Sequence, residues 1–269
     1  PGIYTVTLIV HSSTGCVDTI IKPNYITVNG TITNFSTTSL VGCSPFGVSF
    51  TDLSLGAVSW QWNFGDGNNS VNQNPNHTYS DTGSFTVTLI TWDSTGCSSF
   101  FTFPQPVVVH PTPTASFTVS ASSLCTPVTA SFTNTSTGFD LISWDFGDGN
   151  TSTLVNPTHN YANGGNYIIT LIASTQFGCA DTFTLQQPLV VNQTPAAGFS
   201  VTTPKGCPPL LTSFVNQSTY MAGATFAWDF GNSTTSTQTN PPATFTNPGF
   251  YSVSLVVTNP NGCSDTMIQ

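Results

Sequence analysis

The chain has 269 residues with two lysines, no arginine and eleven acidic residues, for a formal net charge of −9. At 5% charged residues, against roughly 25% in an ordinary globular domain, it lacks the cations that binding to nucleic acid or to an anionic membrane surface would need. No apolar run approaches the roughly 18–20 residues of a bilayer-crossing helix, whereas twenty Phe, seven Tyr and five Trp supply more buriable surface than a disordered chain carries.

From the N-terminus, "PGIYTVTLIVHSSTGC" reads as a strand already under way and then a turn. It matches "PGFYSVSLVVTNPNGC" near the other end, Gly2 falling on Gly249 and Cys16 on Cys263, so residues 1–29 read as the C-terminal part of a preceding repeat. Three fuller repeats follow. Trp62, Trp144 and Trp228 open "WNFGDG", "WDFGDG" and "WDFGNS" at spacings of 82 and 84, and Cys43, Cys125 and Cys207 recur every 82 residues. Cys97, Cys179 and Cys263 each follow a glycine at nearly the same interval. The boundaries fall at "VNGT", "VHPTP" and "VNQTP", giving repeats over residues 30–110, 111–192 and 193–269, the last lacking its final strand. A chain that begins and stops inside repeats is expected to belong to a longer array.

Within a repeat the apolar period is two. Phe85, Val87 and Leu89 point one way while Thr86 and Thr88 point the other, and Tyr167, Ile169 and Leu171 do the same. Short strands rich in Val, Thr, Phe and Tyr, punctuated by Gly, Pro, Asn and Asp, predict an all-β fold: tandem antiparallel Ig-like sandwiches in a linear array. No stretch calls for a helix.

The sequences "WDFGDG", then "NPTHNY" from Asn156, then "GGNYIITL" from Gly164 resemble PKD domains, Ig-like β-sandwiches of extracellular proteins, and the resemblance covers essentially the whole chain. It implies a spacer, adhesion or assembly module outside the cell. The last repeat departs from the pattern twice, with "GNS" for "GDG" and with Ala243 where its neighbours have His77 and His159.

Strand alternation sends Trp62 and Phe64, Trp144 and Phe146, and Trp228 and Phe230 into the core. Gly65 and Gly67, like Gly147 and Gly149, supply left-handed turn geometry, and Asp66 and Asp148 are placed to hydrogen-bond their own turns. The alternative for the turn is a calcium site on Asp145 or Asp148, a use known in PKD relatives, but calcium takes six to eight oxygens and no dense run of acids is present. No metal or other cofactor is expected. His77 and His159 read as packed or hydrogen-bonded rather than catalytic, and neither zinc-ligand spacing nor a nucleophile, histidine and acid set recurs. The chain is expected to be no enzyme.

The early and late cysteines of each repeat are 54, 54 and 56 residues apart, a pattern that points to internal disulfides Cys43–Cys97, Cys125–Cys179 and Cys207–Cys263 in an oxidising compartment, with buried free thiols as the alternative. Cys16 is left over. Nine Asn-x-Ser/Thr sequons, among them Asn68 and Asn150, and the Asp-Ser/Thr-apolar type motifs at Thr19, Ser94 and Thr266 are candidate glycan sites on a surface with almost no charge.

These features point to a segment of a secreted fibre, stalk or filament at the cell surface whose partners are copies of itself and glycans. The alternatives are an adhesin or carbohydrate-binding module using Trp60 or Trp92, or the spacer region of a secreted hydrolase.

Overall fold

The protein is described from a computed structural model covering residues 1–121 and 124–269. Among the described residues every regular element is a strand, and no helix is long and apolar enough to cross a membrane. The chain forms two compact units, one of Pro1–Pro113 with Ser174–Ala180, the other of Thr114–Ala173 with Asp181–Gln269.

The first full repeat shows the plan. One sheet joins Phe35–Thr37, Phe46–Asp52 and Asn76–Tyr79, and the facing sheet runs Ser98–Thr102, Thr88–Trp92, Ser59–Asn63, Asn69–Ser70. A small third sheet sets Val107–His110 between Val41–Cys43, to which it is parallel, and Gly83–Phe85, to which it is antiparallel. The stretch whose alternation reads as one strand is thus divided. Gly83–Phe85 belongs to the small sheet and Thr88–Trp92 to the facing sheet, while Phe85, Val87 and Leu89 still turn inward. Alternation survives because both segments keep extended backbone; only their hydrogen-bond partners change.

Each core is centred on its tryptophan. Trp62, Trp144 and Trp228 are at most 1% exposed. Phe35, Phe117 and Phe199 meet them edge-on at 4.9, 5.0 and 5.2 Å, and Phe50, Phe132 and Phe214 pack at 5.6, 5.5 and 5.6 Å. Each indole N–H also has a partner, donating to the carbonyl of Asn72, Leu154 or Gln238 at 2.8–2.9 Å. Edge-to-face packing adds to burial the attraction of a ring's positive edge for its neighbour's negative face.

Residues 1–28 differ in kind. Gly2–His11 and Val17–Val28 form a two-stranded hairpin with large apolar residues exposed along both strands, including Ile3, Leu8, Ile20, Ile26 and Val28. Its register breaks between Tyr4 and Val6, opposite Pro23 and Asn24, where Asn24 takes φ of 56°.

Trp144→Ala is expected to cost the middle repeat about 3–5 kcal/mol through loss of apolar burial and a residual cavity, and Trp144→Phe less. Urea unfolding followed by tryptophan and tyrosine fluorescence measures both.

Candidate functional site: the glycine turns and the cysteine joints

In the first two repeats the "GDG" stretch is a turn locked from three sides. Gly65 and Gly67 have φ of 86° and 92°, and Gly147 and Gly149 of 78° and 91°. A Cβ on Gly65 would lie 2.6 Å from the Thr86 carbonyl oxygen, and one on Gly147 2.5 Å from that of Ile168, so these two positions exclude a side chain both by φ and by space. The Asp66 carboxylate accepts the Asn68 backbone N–H and side-chain amide, each at 3.0 Å, and pairs with His77 Nε2 at 2.6 Å. Asp148 repeats this with Asn150 at 3.0 Å for both contacts and with His159 Nε2 at 2.7 Å. The imidazoles stack on Phe64 and Phe146 at 4.2 and 4.3 Å, and the hydroxyls of Tyr79 and Tyr161 close the turn by donating to the carbonyls of Phe64 and Phe146 at 3.0 Å.

The third repeat has lost this set as a group. Asn232 stands for the aspartate, Ser233 for the second glycine, Ala243 for the histidine and Phe245 for the tyrosine. Asn232 instead accepts from the Thr234 N–H and hydroxyl and donates to the Thr244 carbonyl. Ser233 keeps the left-handed conformation at φ of 68° without glycine's freedom.

Burial opposes ionisation of Asp66, but the hydrogen bonds from Asn68 and His77 outweigh it and hold the carboxyl below its ordinary pKa. Asp148 is lowered by the same balance, with His159 and Asn150 as donors. Tyr79 and Tyr161 are pushed above the usual phenol range, chiefly by burial and then by the neighbouring aspartates. The calcium reading meets this geometry directly: Asp148 is committed to His159 and Asn150, Asp145 accepts the Gly147 N–H at 2.9 Å, and no cluster of three acid, His or Cys side chains occurs among the described residues.

The cysteines do not pair as their spacing suggests. The bridges are Cys43–Cys179 and Cys125–Cys263, while Cys16, Cys97 and Cys207 are free and exposed. The within-repeat pairs Cys43–Cys97, Cys125–Cys179 and Cys207–Cys263 are not formed, and strand polarity gives the reason. Cys43 lies opposite His110, where Val41–Cys43 and the parallel Val107–His110 both end, the pole at which the first repeat leads into the second. Cys97 lies in the turn joining Thr88–Trp92 to Ser98–Thr102, beyond Trp92 and its partner Ser59, the pole at which the repeat begins. Buried contacts of Thr91 with Thr31 and Thr33 at 2.8 and 2.6 Å mark that pole. An early cysteine therefore meets the late cysteine of the following repeat.

Around Cys43, the Ser44 N–H donates to the His110 carbonyl at 2.9 Å, the Thr112 hydroxyl donates to the Ser44 carbonyl, and His110 stacks on Phe177 at 3.8 Å. Around Cys125, Thr126 donates to the Asn192 carbonyl at 2.9 Å, and the buried Asn259 side chain donates to the Gln193 carbonyl at 3.0 Å while accepting the Met221 N–H at 2.9 Å. Sequence reading singled out neither Asn259 nor Phe177; the only signal was their place beside the "GC" turn.

The remaining candidates are placed as follows. Thr19, Ser94, Thr266, Asn68 and Asn150 are all exposed. The aspartates preceding the three hydroxyl residues serve the backbone: Asp18 accepts the Thr19 N–H, Asp93 those of Thr95 and Cys97, and Asp265 that of Ala197. Trp60 is half-buried and donates to Asp52 at 2.7 Å; Trp92 is half-buried on the side opposite Leu89 and Thr91.

A sequence profile described as the PKD domain matches residues 33–103, 105–189 and 192–269. A microbial collagenase of Vibrio alginolyticus is 32% identical over 127 residues, which are 46% of this chain and 15% of the collagenase, so the chain spans a small part of that relative. Among solved structures, the PKD1 domain of Vibrio anguillarum Epp is 28% identical over 30% of this chain and 98% of its own, with a TM-score of 0.27. A calcium-stabilised ice-binding adhesin of an Antarctic bacterium is 13% identical over 98% of this chain and 79% of its own, with a TM-score of 0.35.

Because Asp66 and Asp148 have lowered folded-state pKa values, the stability they confer is complete above the unfolded carboxylate value of about 3.9 and is lost as pH falls through the lower folded value. Thermal midpoints measured from pH 6 down to pH 2 are expected to fall across the acid end of that range, and Asp66→Asn with Asp148→Asn to flatten the fall.

Proposed function

The chain belongs to the PKD domain family, and on that premise we propose that it is a non-catalytic stalk segment of a secreted bacterial protein, braced by disulfides that tie each repeat to the next. The observation that carries this reading is the connectivity of Cys43–Cys179 and Cys125–Cys263, with sequence separations of 136 and 138. A bridge inside a domain stabilises that domain; a bridge from one repeat to the next also restrains the joint between them. On the chain-entropy account each loop of this length adds about 5 kcal/mol. Persistent disulfides fit an oxidising, extracellular setting, and a chain with two lysines and no arginine offers trypsin-like proteases few sites. A fibre or filament built from such stalks is the extended form of this reading.

A second reading, the spacer of a secreted hydrolase, is favoured by the identity to the Vibrio collagenase over 127 residues. It assigns the same mechanical role to the repeats and places catalysis in another domain. An adhesin role would rest on a surface feature such as Trp60, whose indole is already held by Asp52. We also infer a glycan coat from the exposure of Asn68, Asn150, Thr19, Ser94 and Thr266. It would hydrate a nearly uncharged surface.

Two measurements test these readings. Pulled from its ends, the oxidised chain is expected to extend to roughly two-fifths of the contour of the reduced chain, at about 3.3–3.6 Å per residue released. Equal extension in both states would sink the bracing role. Intact-mass analysis of the secreted protein is expected to show hexose-containing additions on peptides carrying these five residues, and bare peptides would remove the coat.

A further inference from the structure

The four-stranded sheet of the first repeat ends in an edge that differs from its counterparts. Ser98–Thr102 is the outermost strand, and among the described residues it pairs only with Thr88–Trp92. The bonds that flank it, from the Asp93 N–H to the Cys97 carbonyl and from the Phe103 N–H to the Val87 carbonyl, both at 3.0 Å, fix the alternation between them. Ser99 and Phe101 exchange bonds with Thr88–Trp92, so the backbone N–H and C=O groups of Ser98, Phe100 and Thr102 point away from the sheet. Such a row is a template for another strand.

In the other two repeats an acid guards this edge. Ala180–Thr184 and Ser264–Ile268 are outermost in sheets of the same order, and Asp181 and Asp265 each stand two residues after the cysteine of the preceding turn. Asp181 accepts the N–H of Thr182, one of the groups that point outward, at 2.8 Å, and its second oxygen accepts the Ala115 N–H at 2.8 Å. Asp265 is anchored by the Ala197 N–H at 2.8 Å. A second strand laid on either edge would have to desolvate this carboxylate, and a symmetric pair would bring two of them together. The first repeat has Ser99 at the position of Asp181 and Asp265, and Phe100 at that of Thr182 and Thr266. Ser98–Thr102 carries no charge, and Phe100 is 72% exposed, with Ile90 opposite it and Trp92 beside Ile90 half-buried on the same outer face.

We propose that Ser98–Thr102 pairs antiparallel with the same strand of a second copy of this chain, about a two-fold axis at Phe100. The outward residues read hydroxyl, aromatic, hydroxyl, so the edge is its own complement: Phe100 faces Phe100 of the second copy, Ser98 faces its Thr102, and about six backbone hydrogen bonds close the seam. The contact is isologous, the same patch serving both copies. Its apolar gain is the cross-strand pairing of two otherwise solvated phenyl rings. A strand of this length covers less than the roughly 800 Å² per partner of a standard stable interface, so one edge associates weakly and acts where chains are already crowded together, as in a fibre.

The proposal deepens the fibre form of the stalk reading, and the two fail separately: a chain that is braced under force but has no edge pairing keeps the stalk and loses this contact. The test uses the 269-residue chain with its free thiols capped by iodoacetamide, so that no new disulfide joins copies, in sedimentation equilibrium from micromolar to near-millimolar protein. The expected result is a concentration-dependent association that Ser99→Asp and Phe100→Thr each weaken at least about tenfold. Both variants give the first repeat the residues that the second carries at Asp181 and Thr182, and an unchanged near-ultraviolet circular dichroism spectrum checks the fold. A second readout is specific to the edge. With Cys16→Ser, Cys97→Ser and Cys207→Ser as background, Phe100→Cys is expected to cross-link two copies under mild oxidation, because facing Cα atoms of such a pair lie about 5.5 Å apart. Thr182→Cys, on the guarded edge, is expected to do so at least about tenfold less. A monomer throughout the concentration series overturns the proposal, as does association that either variant leaves unweakened, or equal cross-linking at the two positions.

Discussion

A disulfide forms only where two Cα atoms come within about 7 Å, and in a β-sandwich that condition is set by which end of the sandwich a residue occupies. Cys43 is at the exit pole of its repeat and Cys97 at the entry pole, separated by the length of strands such as Phe46–Asp52 and Thr88–Trp92. No side-chain motion closes that distance. The exit pole of one repeat does lie beside the entry pole of the next, because Val107–His110 runs straight into the following repeat. The bridges Cys43–Cys179 and Cys125–Cys263, with Cα separations of 5.6 and 5.5 Å, are the outcome.

The same polarity explains where each repeat invests its polar groups. The entry and exit poles carry the buried Thr31, Thr33, Thr91, Thr126 and Asn259, whose side chains bond one another or neighbouring backbone N–H and C=O groups. The middle of the sandwich is given to the tryptophan and its two phenylalanines. The glycine turn follows Asn63, at the end of its strand away from the entry pole, and its Asp, His and Tyr are interdependent. Asp66 gives His77 its partner, His77 stacks over Phe64, and Tyr79 holds the Phe64 carbonyl. Remove the aspartate and the histidine has no acceptor in a half-buried place, which costs more than losing both together. The third repeat, with Asn232, Ala243 and Phe245, is the case in which the whole group is replaced.

The repeat, the strand period, the burial of Trp62, Trp144 and Trp228 and the glycine turns were legible because each rests on local rules: alternation, φ above zero, an aromatic flanked by small turn residues. Asp148 bonding its own turn belongs with them. The cysteine partners were not legible from spacing, because a separation of 54 along the chain says nothing about pole until the strands between are counted for direction. Once the direction of each strand is assigned, Val41–Cys43 ends at the exit pole and Cys97 lies in the turn beyond Trp92 at the entry pole, so the pairing is decided by topology and not by cysteine chemistry. Asn259 was illegible for a different reason. A buried amide that bonds across a joint has no signature distinct from the many other Asn residues of this chain.

The interleaving of the two bridges has a consequence that within-repeat bridges would lack. In order along the chain, Cys43 is bonded beyond Cys125, and Cys125 beyond Cys179. A single backbone cut anywhere between Cys43 and Cys263 therefore leaves both fragments covalently joined, by one bridge near the ends of that span and by both in its middle. Bridges closed inside each repeat would leave the joints, such as residues 110–114, as places where one cut severs the chain. Exposed loops and joints are where proteases act, so connecting repeat to repeat protects the array at its most accessible points. On the stalk reading proposed above, surviving a cut counts for more than added stability of any one domain.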